Sequence, residues 1–169
     1  MRARGTPQGA LCLAILLLAL SPVETESLEE LQKHFDSETN AVRKAKMVEH
    51  LGEAQFEEAR RAGKAGDNNT VGLTMEKYRD NVRAALEALK KQSPDAEKHS
   101  NGYRQLEMHV RKGIREVEET LLVAPEVYKP PLQIVRGDLI SMDDELIKLL
   151  FPNRPLKRRE GPPPAEEKL

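Results

Sequence analysis

Apolar positions in this chain recur every three or four residues over four long stretches, with charged residues filling the positions between them. Turning at 100° per residue, Ala41, Ala45, Val48, Leu51, Gly52, Phe56, Ala59, Ala62 and Gly63 share an arc about 140° wide, which predicts one long helix from Asn40 to about Ala65. The stripe stays in phase through Gly52, so that glycine reads as a close-packing point and not a break. A second stripe, Val71, Met75, Tyr78, Val82, Ala85, Leu86 and Leu89, predicts a helix ending at Ser93-Pro94-Asp95. Between the two, Gly66 suits a left-handed C-terminal position, and Asp67 or Asn68 suits the cap of the next first turn. So short a connection makes the two helices an antiparallel hairpin.

A polar link through His99 to Gly102 leads to a third seam, Tyr103, Leu106, Val110, Ile114, Val117 and Leu121. Pro125, Pro130 and Pro131 bracket the next loop, with Pro131 placed for the first turn of a fourth helix lined by Leu132, Val135, Leu139, Met142, Leu146 and Leu150. Ahead of these, Ser27 and Glu30 form a capping-box sequence opening a short helix with Leu28, Leu31 and Phe35 on its apolar side. The expected fold class is therefore all-α: an antiparallel up-down bundle of four long helices with a short N-terminal extra helix over residues 26–152. Residues 153–169, with Lys157, Arg158, Arg159 and Pro162 to Pro164, lack the apolar side chains to order themselves and read as a disordered Pro-rich charged tail.

The one apolar run without helical alternation is at the start. Arg2 and Arg4 precede ALCLAILLLAL (Ala10 to Leu20), and Ser21, Pro22 and Val23 lead into Glu24 and Glu26. A basic start, an apolar run too short to span a bilayer and a polar exit make the pattern of a secretory signal peptide, taken here as residues 1–25. The chain is thus expected to be extracytoplasmic, periplasmic or secreted, with no stable membrane span once the leader is cut. Cys12, the only cysteine, lies in that leader, so the mature chain would have no disulfide, thiolate nucleophile or cysteine metal site. With 27 basic against 28 acidic residues, and Arg2 and Arg4 lost with the leader, no basic excess marks a nucleic-acid binder.

Helical bundles often hold metals, and the ligand inventory speaks to that directly. Di-iron bundles use Glu-x-x-His, but the residues three before His34, His50, His99 and His109 are Leu31, Met47, Ala96 and Leu106. Glu30, His34 and Glu38 stand at i, i+4 and i+8, a spacing that offers ligands on one face and equally makes ordinary surface pairs. His50 lies on the charged side of its helix and His109 off the third seam, so both read as surface histidines. Ser93, Ser100 and Ser141 sit at helix ends or within charged helix, with no nucleophile elbow or phosphate-cradling glycine loop in the chain. Gly113 and Gly137 interrupt helices and are expected to mark close helix packing. Asn68-Asn69-Thr70 matches an N-glycosylation sequon, though turn and capping chemistry already accounts for both Asn and Thr. No catalytic, cofactor-binding or metal-binding residue is assigned, and no cofactor is expected.

Residues 41–91 carry Leu51-Gly52, Ala65-Gly66-Asp67 at the turn and Tyr78 in the second arm, and on these they resemble a tetratricopeptide-type helical hairpin. That resemblance implies protein binding through stacked helix pairs, although no second copy recurs at the 34-residue period. The same stretch, through Leu51-Gly52-Glu53-Ala54-Gln55-Phe56-Glu57-Glu58-Ala59-Arg60 and Met75-Glu76-Lys77-Tyr78-Arg79, also resembles uncharacterised bacterial exported helical proteins. Together these features lead to the expectation of a non-enzymatic exported protein that binds or scaffolds another protein of the cell envelope. The alternative is a bundle holding a small ligand or metal in its core.

Overall fold

The computed structural model describes residues 26–153; residues 1–25, the stretch expected to be a leader and holding Cys12, and residues 154–169, with the Lys157–Arg159 cluster, lie outside the described residues. Five α-helices follow one another: α1 (Leu28–Ser37), α2 (Ala41–Lys64), α3 (Asn68–Gln92), α4 (Ser100–Val123) and α5 (Lys129–Leu150), with one 3-10 turn at Glu126–Tyr128 before α5. The protein is all-α, with no strand among the described residues.

Local chemistry accounts for the ends of these helices. The Ser27 hydroxyl accepts from the Glu30 N–H while the Glu30 carboxylate accepts from the Ser27 N–H, closing the capping box of α1. Asn40 caps α2 by accepting from Arg43 N–H at 3.0 Å, and Asp67 caps α3 by accepting from Thr70 N–H at 3.0 Å. At the end of α2 the chain turns through Gly66 at φ 78°, where Asp67 N–H donates to Ala62 O and Gly66 N–H to Gly63 O. That pair of bonds satisfies carbonyls the helix would otherwise leave open, and the positive φ calls for glycine.

Two antiparallel hairpins, α2–α3 and α4–α5, are stacked face to face. Cross-helix contacts fix the directions. Arg60 meets Glu116 at 2.6 Å, while a Cβ on Gly102 would touch Val42, so α2 and α4 run parallel. Arg83 meets Asp138 at 3.0 Å and Lys90 meets Glu145 at 2.8 Å, so α3 and α5 also run parallel. The up-down alternation along the chain holds, and the layers stack with parallel helices opposed. Between them lie the stripes read from the sequence: Met75, Tyr78, Val82, Leu86 and Leu89 of α3 are almost fully buried, as are Leu106, Val110 and Val117 of α4 and Leu132, Val135, Leu139 and Leu146 of α5. α1 lies against α2, burying Leu31 and Phe35, with Lys44 Nζ 4.6 Å from the centre of the Phe35 ring. No helix among the described residues is long and apolar enough to cross a membrane.

Candidate functional site

The principal polar cluster of the interior is built where α2, α3 and α4 meet. Two glycines make room for it: a Cβ on Gly52 would lie 2.3 Å from His109 Cε1, and one on Gly113 would lie 2.3 Å from Tyr78 Cε1. Into that space fit the rings of Phe56, Tyr78 and His109. Phe56 stacks on His109 with planes 4° apart and tilts against Tyr78 at a centroid distance of 4.7 Å. The Tyr78 hydroxyl is 3.0 Å from His109 Nδ1, and His109 Nε2 is 3.4 Å from Glu53 Oε1, which also pairs with Lys112.

The Tyr78 hydroxyl donates to the His109 backbone carbonyl at 3.0 Å, and the direction of its contact with Nδ1 follows the tautomer: Nδ1–H donates to the hydroxyl oxygen, or a bare Nδ1 shares the hydroxyl proton and Nε2–H points toward the Glu53 carboxylate. The 3.4 Å contact is long, and Nε2 meets the ordinary hydrogen-bond criteria with no partner. Burial lowers the His109 pKa, against the opposing pull of Glu53. Burial also raises Tyr78 well above the usual phenol range. Glu53 is pushed up by burial but pulled further down by Lys112 and His109. His109 is therefore a buried residue, not the surface histidine expected from its position off the seam. α4 packs on both α5 and α2, so its buried arc is wider than one seam.

A second polar cluster lies between α4 and α5. Asp143 is 1% exposed and Glu107 9% exposed, and Arg111 pairs with Glu107 and reaches Asp143 at 3.5 Å. One guanidinium thus serves two buried carboxylates. Burial raises the Glu107 pKa, Arg111 opposes that rise and Asp143 adds to it.

The other candidates stand apart from these clusters. Glu30 is occupied by the α1 cap, His34 meets Glu26 at 2.6 Å, and Glu38 lies past the helix end paired with Arg43, which holds its carboxyl down at about 2. The i, i+4, i+8 face therefore does not form. Among the described residues no group of three His, Cys, Asp or Glu is arranged to hold a metal. His50 is exposed. Ser93 closes α3 and its carbonyl accepts from Tyr103, while Ser141 donates back to Gly137 O. Gly113 is a close-packing point, but Gly137 is not: a Cβ there would meet nothing within 4 Å. At the sequon, Asn68 donates to Gly66 O and Thr70 to Asp67, the turn chemistry expected of them.

Two of the grooves on the surface of the described residues bear on function. The larger, about 970 Å³, runs between α1 and the outer side of the α2–α3 hairpin, with Leu28, Gln32, Gln55, Leu73, Thr74 and Lys77 on its walls. Gln55 is 2% exposed and its carbonyl Oε1 meets no donor, while Leu73 at the rim is 67% exposed. The smaller, about 380 Å³, opens at the end of the molecule where α2 finishes and α3 begins, with α4 as its far wall.

No protein-family model matches the chain. No curated protein matches it. No solved structure matches it either. The fold defines the class: an all-α protein of two stacked helical hairpins with a short helix on its outer side.

Proposed function

We propose that the processed chain works outside the cytoplasm as a non-enzymatic binding or scaffolding protein, and that the groove between α1 and the α2–α3 hairpin takes a segment of another envelope protein. The leader supports the location. The groove supports the activity, and the exposed Leu73 on its rim, beside the part of the hairpin that α1 leaves open, is the observation that carries it. Leu73 supplies apolar area for contact with a docked segment. α1, at 10 residues against 24 for α2, is about 15 Å long beside about 36 Å of helix. It leaves much of that outer side open.

The core-ligand reading has less behind it. The rings of Phe56, Tyr78 and His109 fill the space that Gly52 and Gly113 provide, and neither groove is lined by Tyr78, Tyr103 or His109. A photoreactive side chain placed at Leu73 tests the proposal in the intact envelope. It should trap one discrete protein that the same group at Met108, exposed on α4, does not. Identical capture from both positions, or recovery of the chain in the cytosol, would sink it.

A further inference from the structure

The smaller groove carries charges that match a copy of themselves. Its floor is apolar, with Ala59 and Gly63 of α2 and Val71 of α3, and Val123 of α4 stands on the far wall. One ion pair, Arg60 with Glu116 at 2.6 Å, ties the two walls together. One turn further along each helix come Lys64 on the α2 wall and Glu119 on the α4 wall. Both are exposed, and neither is in an ion pair among the described residues. The walls therefore present an unpaired cation and an unpaired anion on opposite sides of one apolar opening.

Beside this opening stand the two most exposed large apolar side chains among the described residues, Leu122 at 83% and Val123 at 84%, and Val127 follows at 77%. Apolar side chains grouped like this on a charged, helical surface mark a contact site. The end of the molecule thus carries both a hole and a plug to fill it. A partner of another kind would need only one of these, with charges of its own choosing. A second copy turned about a two-fold axis uses both: Leu122 of each copy enters the opening of the other, and Lys64 of each meets Glu119 of the other. A two-fold contact demands such self-complementarity, in which residue i meets j and j meets i.

We propose that the protein pairs with a second copy of itself through this end, about a two-fold axis, with Leu122 and Val123 as the apolar centre and the Lys64–Glu119 pairs at the rim. Its apolar centre is only a few side chains, against the roughly 1,200–2,000 Å² of a standard stable interface, so the pair is a reversible one. It lies at the other end of α2 from its cap at Asn40 and involves none of the walls of the larger groove, so self-association and partner capture can be tested separately.

Sedimentation velocity on the purified exported protein, from about 1 to about 300 µM, should show a monomer passing to a dimer. The Leu122→Glu/Val123→Glu variant should remain monomeric across that range, with unchanged helicity and melting temperature because both side chains are in solvent. Lys64→Glu alone and Glu119→Lys alone should each weaken the dimer by about tenfold, since each places two like-charge contacts across the axis. The combination K64E/E119K should restore it, because reversed signs still meet. A chain that stays monomeric at the top concentration overturns the proposal. So does a dimer indifferent to Leu122→Glu/Val123→Glu, or a double reversal no tighter than its single components.

Discussion

The Tyr78 hydroxyl stands 3.0 Å from the Nδ1 of His109 and donates at 3.0 Å to the backbone carbonyl of the same residue, so one hydroxyl meets both the ring and the main chain of the neighbouring helix. This contact joins the first hairpin to the second inside the core. Tyr78→Phe keeps the ring that fills the space under Gly113 and removes only the hydroxyl, leaving the His109 carbonyl without that donor and Nδ1 without its partner. The expected loss is about 1–3 kcal/mol of unfolding free energy, with little change in helicity. Chemical denaturation measures it, and a variant as stable as the parent would show that the hydroxyl adds nothing to the joint.

Acid should loosen the same joint. His109 has a folded pKa depressed below its ordinary 6.5, chiefly by burial, so it stays neutral in the folded state where the unfolded chain already takes a proton. Its neutral form therefore favours folding above about pH 6.5, and that contribution is lost as pH falls from there toward the lower folded value. Glu49 and Glu53 from α2 favour the charged ring, Lys112 on its own helix opposes it, and Tyr78 from α3 accepts no proton in this range. Unfolding free energy should decline as pH falls below about 6.5, by at most about 1.4 kcal/mol per pH unit for one proton. His109→Gln should flatten that part of the profile. A parent profile with no slope there, or one unchanged by the substitution, would falsify this account.

Gly113 and Gly137 make a matched pair of opposite sign. Both lie within helices, and each would gain helix propensity of about 1 kcal/mol on replacement by alanine. At Gly137 nothing stands within 4 Å of the new Cβ, so Gly137→Ala should stabilise by about 0.5–1 kcal/mol. At Gly113 the Cβ would lie 2.3 to 2.6 Å from Tyr78 ring atoms and its hydroxyl, held on the far side by Phe56. Gly113→Ala should therefore destabilise by about 2–4 kcal/mol as the ring is driven out of place. Thermal melts of the two single variants check both signs at once.

These glycines show what the sequence discloses and what it withholds. Periodicity disclosed the helices because apolar side chains repeat with the turn of the helix: each stripe residue of α3, from Val71 to Leu89, is buried. Local rules also placed Ser27 and Gly66 and narrowed the α3 cap to Asp67 or Asn68, of which Asp67 takes it, since a cap is decided within four residues. Gln55, Asn81, Glu107, His109 and Asp143 escaped because each is polar and sits beside a stripe, where the expected environment is water. Their burial depends on a second neighbour that no local spacing encodes. Connection lengths make α2–α3 and α4–α5 antiparallel, but the parallel stacking of α2 on α4 comes from the fit of Gly52, Phe56, His109 and Gly113. A signal for His109 was present: Gly113 stands four residues on, on the same helical face, where a small residue opens the side of a helix to a large neighbour. Gly137 carries the same letter without the neighbour, and sequence spacing alone could not tell the two apart.

The cluster of Glu107, Arg111 and Asp143 should behave oppositely to His109 with pH. Glu107 has a folded pKa raised above its ordinary 4.5 by burial, with Arg111 opposing and Asp143 adding to the rise. Its contribution to stability is therefore full below about pH 4.5 and is lost as pH rises through the folded value. Once ionised, the Glu107 carboxylate is held near the Asp143 carboxylate, with the half-exposed Arg111 guanidinium reaching both. Glu107→Gln removes the like charge while an amide oxygen still accepts from Arg111, so at about pH 7.5 it should be neutral or stabilising by up to about 1 kcal/mol. Near pH 4 the advantage should shrink, because the parent side chain is then protonated and uncharged. Arg111→Ala, which leaves two buried carboxylates without their shared cation, should cost about 1–3 kcal/mol at neutral pH and less in acid. Denaturant titrations at the two pH values give four differences. If Glu107→Gln weakens the fold more at pH 7.5 than at pH 4, the glutamate is a net stabilising partner of Arg111 and the electrostatic assignment is wrong.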